Sequence, residues 1–392
     1  MNLKRLRKNE LIGVFFYLII IVAGFTFIIK FIQLGIPDFI INHLNLSNID
    51  VVGYMMLLAL LTASICLIVG YIIDKFNWRV EEKIKILFLC FLIQTPLILS
   101  FLSFNSVPLF ILWIILLGVV MGVETPISIS LLRDFIRPKY RGIFAAVATA
   151  FIYSYGILSP FPWNISGFIK EISLGLLPSI PIFAIIIVFK LFRNEEKKEI
   201  FLAEGSFIHY NKGLLILALF GVIFVDSLGF LRIIETPEIY ANVWRGGLEI
   251  KMFLVISHTG FALISGFLYT KSKPYLILII SLWMIFLTDL FFALFNETIF
   301  LSQVLGILYC GAVSMYTIVL FALWADISAP ESVGKFSGLG IGIGGWLMTF
   351  ISTAFSFRFI DTLSFSMHLL VSSAVSLTFL VLTILIKQRG EN

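Results

Sequence analysis

The sequence predicts an all-α integral membrane protein: twelve transmembrane helices arranged as two pseudo-symmetric six-helix bundles. Three observations lead there. Hydrophobic residues make up 60% of the chain and charged ones 13%, where a soluble domain carries roughly 25% charge, and the mean hydropathy is +1.05. The apolar residues fall into twelve runs, each close to the ~20 residues that cross a bilayer as a helix. A sparse set of polar and glycine positions also recurs half a chain apart. Gly70 and Asp74 return as Gly266 and Thr270, at an offset of 266 − 70 = 196. Asp134, Pro138 and Gly142 return as Asp326, Pro330 and Gly334, at 326 − 134 = 192.

The runs lie at about 11–34, 51–73, 84–103, 107–132, 142–163, 172–192, 213–235, 250–270, 275–295, 299–324, 334–357 and 363–386. Each must be helical, because lipid supplies no partner for a free backbone N–H or C=O. The first continues too far to be the core of a cleaved signal peptide and reads as an uncleaved span. Gly13 and Pro37-Asp38 recur as Gly213 and Pro237-Glu238 at an offset of 200, which pairs runs one and seven. The domains follow: a six-helix half at 1–192, a polar linker at 193–212 and a second half at 213–392. Parallel repeats of this kind are a transporter architecture.

Charge placement sets the expected orientation. With both termini in the cytoplasm, every Lys and Arg except Lys30, Lys170, Arg232, Arg245, Lys251 and Arg358 falls at the cytoplasmic side, as the positive-inside rule requires. The +5 net charge is thereby absorbed by topology, and no nucleic-acid partner is implied. Cys66, Cys90 and Cys310 lie inside apolar runs and imply no disulfide framework. No metal-ligand spacing, phosphate loop or nucleophile–base pair is present, so neither cofactor nor enzymatic activity is expected.

The loop between runs two and three reads G-Y-I-I-D-K-F-N-W-R from Gly70 to Arg79. It resembles the G-x-x-x-D-R-x-G-R-R/K motif of the major facilitator superfamily. Gly70, Asp74 and Arg79 fit, and Lys75 replaces the first Arg. Asn77 stands at the motif's glycine, where Asn tolerates positive φ better than most residues; Trp78 replaces an Arg. The run Asp134, Pro138, Arg141 and Gly142 resembles the family's next such loop. The resemblance covers the whole chain and implies secondary transport by alternating access, the solute binding between the halves. It implies that runs one, four, seven and ten line the cavity and that the loop Asp gates the cytoplasmic side. The expected gating residues are Asp74, Gly70, Lys75, Arg79, Asp134, Arg137 and Arg141. Asp74 would meet a helix N-terminus or one of Arg133, Arg137 and Arg141. Two departures count against a drug–proton antiporter. Ile114 stands where proton-coupled members often place an Arg before Gly118, and the stretch after Gly156 reads Phe161, Pro162 and Trp163 in place of a glycine-rich motif.

Ionisable groups inside the runs are candidate substrate or coupling residues, because a charge at that depth is costly and usually faces a cavity. Glu124 lies about 13 Å inside Arg133 and Asp226 about 20 Å from Gly213; for both, the bland alternative is a hydrogen-bonded structural group. Lys30 shares a helical stripe with Thr26 near the outer end of run one, where snorkelling is an equal alternative. Tyr309 and Tyr316 share a stripe on run ten, and packing alone accounts for many such stripes. His258 is a titratable group in run eight. Asp289 and His368 fall on supporting runs and carry no assigned role.

The functional expectation is a secondary active transporter of a small organic solute, with a proton or other cation as the coupling ion. The chain would work as a monomer, multi-pass in the cell membrane. The alternatives are an uncoupled facilitator and a non-transporting receptor or sensor of the same fold. A receptor would want an added cytoplasmic domain, and the chain ends a few residues past run twelve. Engineered cysteines near Asn48 and Asn296 should react with an impermeant reagent added outside, while those near Asn77 and Asn194 should not; labelling at either of the latter breaks the twelve-span topology.

Overall fold

The computed structural model describes residues 18–25, 27–101, 106–159, 167, 169–170, 211–271, 273–295 and 298–390. Every predicted run within these residues is helical. The sixth run and the linker up to residue 210 lie outside them. The first segment, α1, is a π-helix over Phe27–Gly35 that continues as an α-helix over Ile36–Asn42. Then come α2 (Asn48–Lys75), α3 (Val80–Leu99), α4 (Val107–Phe135) and α5 (Pro138–Leu158). After the undescribed stretch follow α6 (Lys212–Ile234), α7 (Leu248–Thr270), α8 (Pro274–Leu294), α9 (Ile299–Ile327), α10 (Val333–Thr362) and α11 (Phe365–Gly390). Among the described residues, nine helices are long and apolar enough to cross a membrane. Helix α3 misses that description because Glu81, Glu82, Lys83 and Lys85 crowd its first turns.

Local chemistry fixes the helix ends. Ser47 and Asp50 form a capping box at the start of α2: the Ser47 N–H donates to Asp50 Oδ2 at 2.9 Å and the Asp50 N–H to Ser47 Oγ at 3.4 Å. Asn211 Oδ1 accepts from the N–H groups of Gly213 and Leu214 at the start of α6. The helix after Arg137 begins at Pro138, four residues before the predicted run, because Pro is favoured in a first turn. The end of α2 is a Schellman turn: the Trp78 N–H bonds Ile73 O and the Asn77 N–H bonds Asp74 O. Asn77 there has φ 54°, the left-handed conformation that its place at the motif's glycine demanded. Helix α10 contains a feature not legible in the run, a π-helical stretch over Gly340–Met348.

The chain forms two compact units. Of the described residues, the first unit takes those up to Pro138, the few between 167 and 170, and Trp324–Ile343. The second takes Lys139–Ser159, residues 211 to Leu323, and Gly344 onward. The first unit packs α2 against α4 and α3 against α4, with the start of α10 laid on α2. At one end its core is aromatic: Phe101 meets Phe31, Phe39 and Trp113, and the indole N–H of Trp113 reaches Leu97 O at 2.7 Å. The second unit packs α8 against α11 and both against α6.

Glycine sets the closest approach in each unit. In the first, a β-carbon on Gly70 would fall 2.4 Å from Gly334 O, and one on Gly338 would fall 2.4 Å from Cys66 O. In the second, a β-carbon on Gly142 would fall 2.8 Å from Gly266 O, and one on Gly266 would fall 2.7 Å from Gly142 O. These neighbours are backbone, so no rotamer change makes room. Gly338→Val should therefore destabilise the protein by about 1–3 kcal/mol, the usual cost of overpacking. Gly260→Ala, where nothing lies within 4 Å of the added carbon, should not; thermal unfolding of the detergent-purified variants compares the two.

Candidate functional site

Asp74 closes the charged loop of the first unit. It ends α2 with its side chain on the first turn of α10, where Oδ1 accepts from the Gly334 N–H and Oδ2 from the Lys335 N–H, both at 2.7 Å. These N–H groups have no partner inside their own helix, and a negative charge suits that end of the helix dipole. Of the two kinds of partner expected for Asp74, the structure supplies the helix terminus. The close seating of Gly70 on Gly334 brings the carboxylate within reach, since Asp74 lies one turn beyond Gly70 on the same helix. The Lys335 ammonium sits over the Tyr71 ring, 5.6 Å from its centroid, and Lys75 lies 5.8 Å from the same ring.

Arg133 makes the complementary contact. Its guanidinium donates to Ser328 O at 2.6 Å and Ser328 Oγ at 3.1 Å, at the C-terminal end of α9, where unpaired carbonyls and the dipole favour a cation. The loop from α9 to α10 is thus held at each end by a charge of the matching sign. Asp134 pairs with Lys83, Oδ2 to Nζ at 2.7 Å. Lys83 is buried, and sequence reading treated it only as a topology residue. Its place on a charged helix start beside Glu81 and Glu82 hid the fact that its own face is inward. The backbone N–H of Arg79 is capped by Glu82 Oε2 at 2.7 Å. Arg141 is buried and Arg137 half-buried.

The candidate coupling residues divide between the units. Glu124, on α4 in the first, is 6% exposed, and its Oε2 has no hydrogen-bond partner among the described residues. Nearby, Gly122 presses on Ile65 and Gly118 on Leu61, so α2 and α4 meet closely on both turns that precede it. Asp226, on α6 in the second unit, is held by both predicted tyrosines. The Tyr316 hydroxyl donates to Oδ2 at 2.6 Å and the Tyr309 hydroxyl donates to Oδ1. Phe230 stacks on Tyr309, with ring centroids 5.9 Å apart.

His258 joins α9 as well, its Nδ1 lying 2.6 Å from Ser314 Oγ. Its ring stacks on Tyr153, centroids 4.3 Å apart and planes within 9°; the Tyr153 hydroxyl lies 3.1 Å from Thr317 Oγ1. One helix therefore carries the partners of Asp226, His258 and Tyr153. Sequence reading missed Tyr153, Ser314 and Thr317. The signal available was the second polar stripe of α9, with Ser314 and Thr317 three residues apart. Thr26 lies outside the described residues, as does the side chain of Lys30. The Arg232 guanidinium lies over the Phe365 ring, 5.7 Å from its centroid.

An all-helical chain with long apolar helices, carboxyls inside them and a charged loop pinned to a helix end is a polytopic membrane protein of transporter architecture. Residues 1–160 match the family model described as Major Facilitator Superfamily. Among solved structures, the human organic anion transporter MFSD10 (TETRAN) shares the fold at a TM-score of 0.64 and 13% identity, over 96% of this chain and 99% of that one. Comparison with curated proteins finds no match. The first 160 residues are thus similar to that family, and the chain as a whole has the fold of a membrane transporter.

Replacing Asp74 by Ala removes both acceptors from the first turn of α10. By analogy with loss of a helix N-cap, the protein should lose about 0.5–2 kcal/mol. Asp74→Asn, which retains one acceptor oxygen, should lose less, and thermal unfolding at neutral pH reads the order wild type, Asn, Ala.

Proposed function

We propose that this chain is a secondary active transporter that moves a small organic solute across the cell membrane by alternating access and couples the movement to a proton. Glu124 is the observation that carries the coupling. An ionised carboxylate at 6% exposure with an unpartnered oxygen bears a desolvation cost of several kcal/mol. A proton removes that cost, and a conformational change that exposes the group releases the proton.

The sequence halves 1–192 and 213–392 are the bodies that rock, with 193–212 as the cytoplasmic linker and both termini cytoplasmic. Asp74, Gly70, Lys75 and Arg79, with Asp134, Arg137 and Arg141, bias the state of the cytoplasmic side. They do so by differential contacts, because only an interaction that differs between two states shifts their balance. Asp226 with Tyr309 and Tyr316, together with His258, offers hydroxyl and ring surfaces to the solute, and Lys30 and Thr26 are its proposed counterparts in the first span. The protein acts as a monomer in the bilayer. One observation favours a second reading, an uncoupled facilitator: both Asp226 oxygens already accept a tyrosine hydroxyl, as a fixed structural group would.

Solutes come first from a thermal-shift screen against sugars, amino acids, organic acids and organic cations; a ligand at a hundred times its Kd adds about 2.7 kcal/mol of stability. With a hit in proteoliposomes, Glu124→Gln should abolish accumulation driven by a proton gradient while solute counterflow survives. If the Gln variant still concentrates solute, Glu124 is structural; if binding is lost too, it contacts the solute.

A further inference from the structure

A second buried carboxyl, on a helix with no assigned role, is less satisfied than Asp226, the acid already described in the second unit. Asp289 lies in α8, about 22 Å along it from Pro274, and is 0% exposed. Its side chain rests against Gly229 of α6, where a β-carbon would fall 2.8 Å from each carboxyl oxygen; the missing side chain is what gives the acid its seat. Oδ2 accepts one hydrogen bond, from Ser372 Oγ of α11 at 2.6 Å. Oδ1 has no partner among the described residues.

One turn from Ser372 on the same helix, His368 is also 0% exposed. Its Nε2 lies 3.0 Å from Leu228 O. A carbonyl only accepts, so Nε2 carries the hydrogen. Its Nδ1 has no partner among the described residues; in the neutral ring it is a bare acceptor, and in a charged ring it would be a buried donor with nothing to bond. Asp289 Oδ1 and His368 Nδ1 are both without a partner among the described residues, so the two do not bond each other.

Among the described residues, the ionisable groups on the elements packed around Asp289 give it no cation in bonding distance. On α6, Asp226 bears the same charge and is bonded to Tyr309 and Tyr316, while Arg232 lies over Phe365. On α7, His258 is turned to Ser314. An ionised Asp289 would be a fully buried anion with a single hydroxyl donor, a state that costs several kcal/mol. A protonated Asp289 keeps the serine bond and is neutral.

We propose that Asp289, seated on Gly229 and Ser372, is a second proton-binding site of this protein. Binding adds one proton to the carboxylate and gives a neutral acid that keeps the Ser372 hydrogen bond. The site deepens the proton-coupled reading, and its share in coupling rests on that reading; the protonation does not.

Infrared spectroscopy of the purified full-length protein at neutral pH tests this without solute or gradient. The wild type should show a protonated carboxyl C=O stretch that persists in Glu124→Gln and Asp226→Asn but is lost in Asp289→Asn. Ser372→Ala, which removes only the hydroxyl, should shift that band to higher frequency, and so reads the site even if Asp289→Asn does not fold. A band unchanged by Asp289→Asn and by Ser372→Ala overturns the proposal, as does a band that disappears when sodium chloride replaces choline chloride, which would make this a sodium site. Loss of coupling in Glu124→Gln with the Asp289 band intact, or the reverse, separates the two readings.

Discussion

The contact on which the charged face of the first unit depends is a carboxylate on a helix N-terminus. Asp74 binds two backbone N–H groups of α10 and can do so only because Gly70 and Gly334 let the two backbones touch. Arg133 does the converse at the end of α9. Asp74 binds backbone alone and Arg133 binds a backbone carbonyl as well as the Ser328 hydroxyl, so the pair depends more on where the helices end than on which side chains line the loop from Ser328 to Gly334. A latch of this kind is specific in position and tolerant in sequence. It also breaks as a unit, since moving α10 by one turn strands both carboxylate oxygens together.

The second unit repeats the packing without the charge. Gly266 and Gly142 press backbone to backbone as Gly70 and Gly334 do, and the offsets of 196 and 192 match one pair to the other. Where Asp74 stands in the first copy the second has Thr270, whose hydroxyl turns back to Gly266 O within its own helix. The duplicated glycines hold the helices together in both copies; Asp74 adds a carboxylate on a helix terminus in the first, and Thr270 at the corresponding place does not reproduce it. An energetic difference between two contacts of the same shape is what a switch needs, because a change of state is favoured only by interactions that differ between states.

Much of this was legible in the sequence, for physical reasons that can be named. The helices were, because lipid permits nothing else. Asn77 was, because a motif glycine reports a backbone angle rather than a partner. The shared face of Tyr309 and Tyr316 was, because a seven-residue spacing on one helix puts both hydroxyls on one side; that Asp226 meets that face was not. Periodicity names the face and not the helix it meets. For that reason Lys83 was read as a loop charge, Tyr153 was passed over, and Asp289 and His368 were set aside with their supporting helices. The π-helical stretch at Gly340–Met348 was hidden for a related cause: glycine-rich apolar sequence reads the same in α and π windings.

The buried acids differ in what surrounds them, and donor count sorts them. Asp74 accepts from two backbone N–H groups, which can never accept in return, so its bonds favour the anion. Asp226 accepts from two phenol hydroxyls, either of which can rotate away or reverse its role if the acid takes up a proton. Glu124 and Asp289 each keep an oxygen with no donor among the described residues, which favours the neutral acid. The roles proposed for these acids follow the same order: a latch where the donors are fixed, an adaptable polar contact where they rotate, and a proton site where they are missing. Burial makes the charge on each carboxyl costly, and the arrangement of donors offsets that cost or leaves it standing.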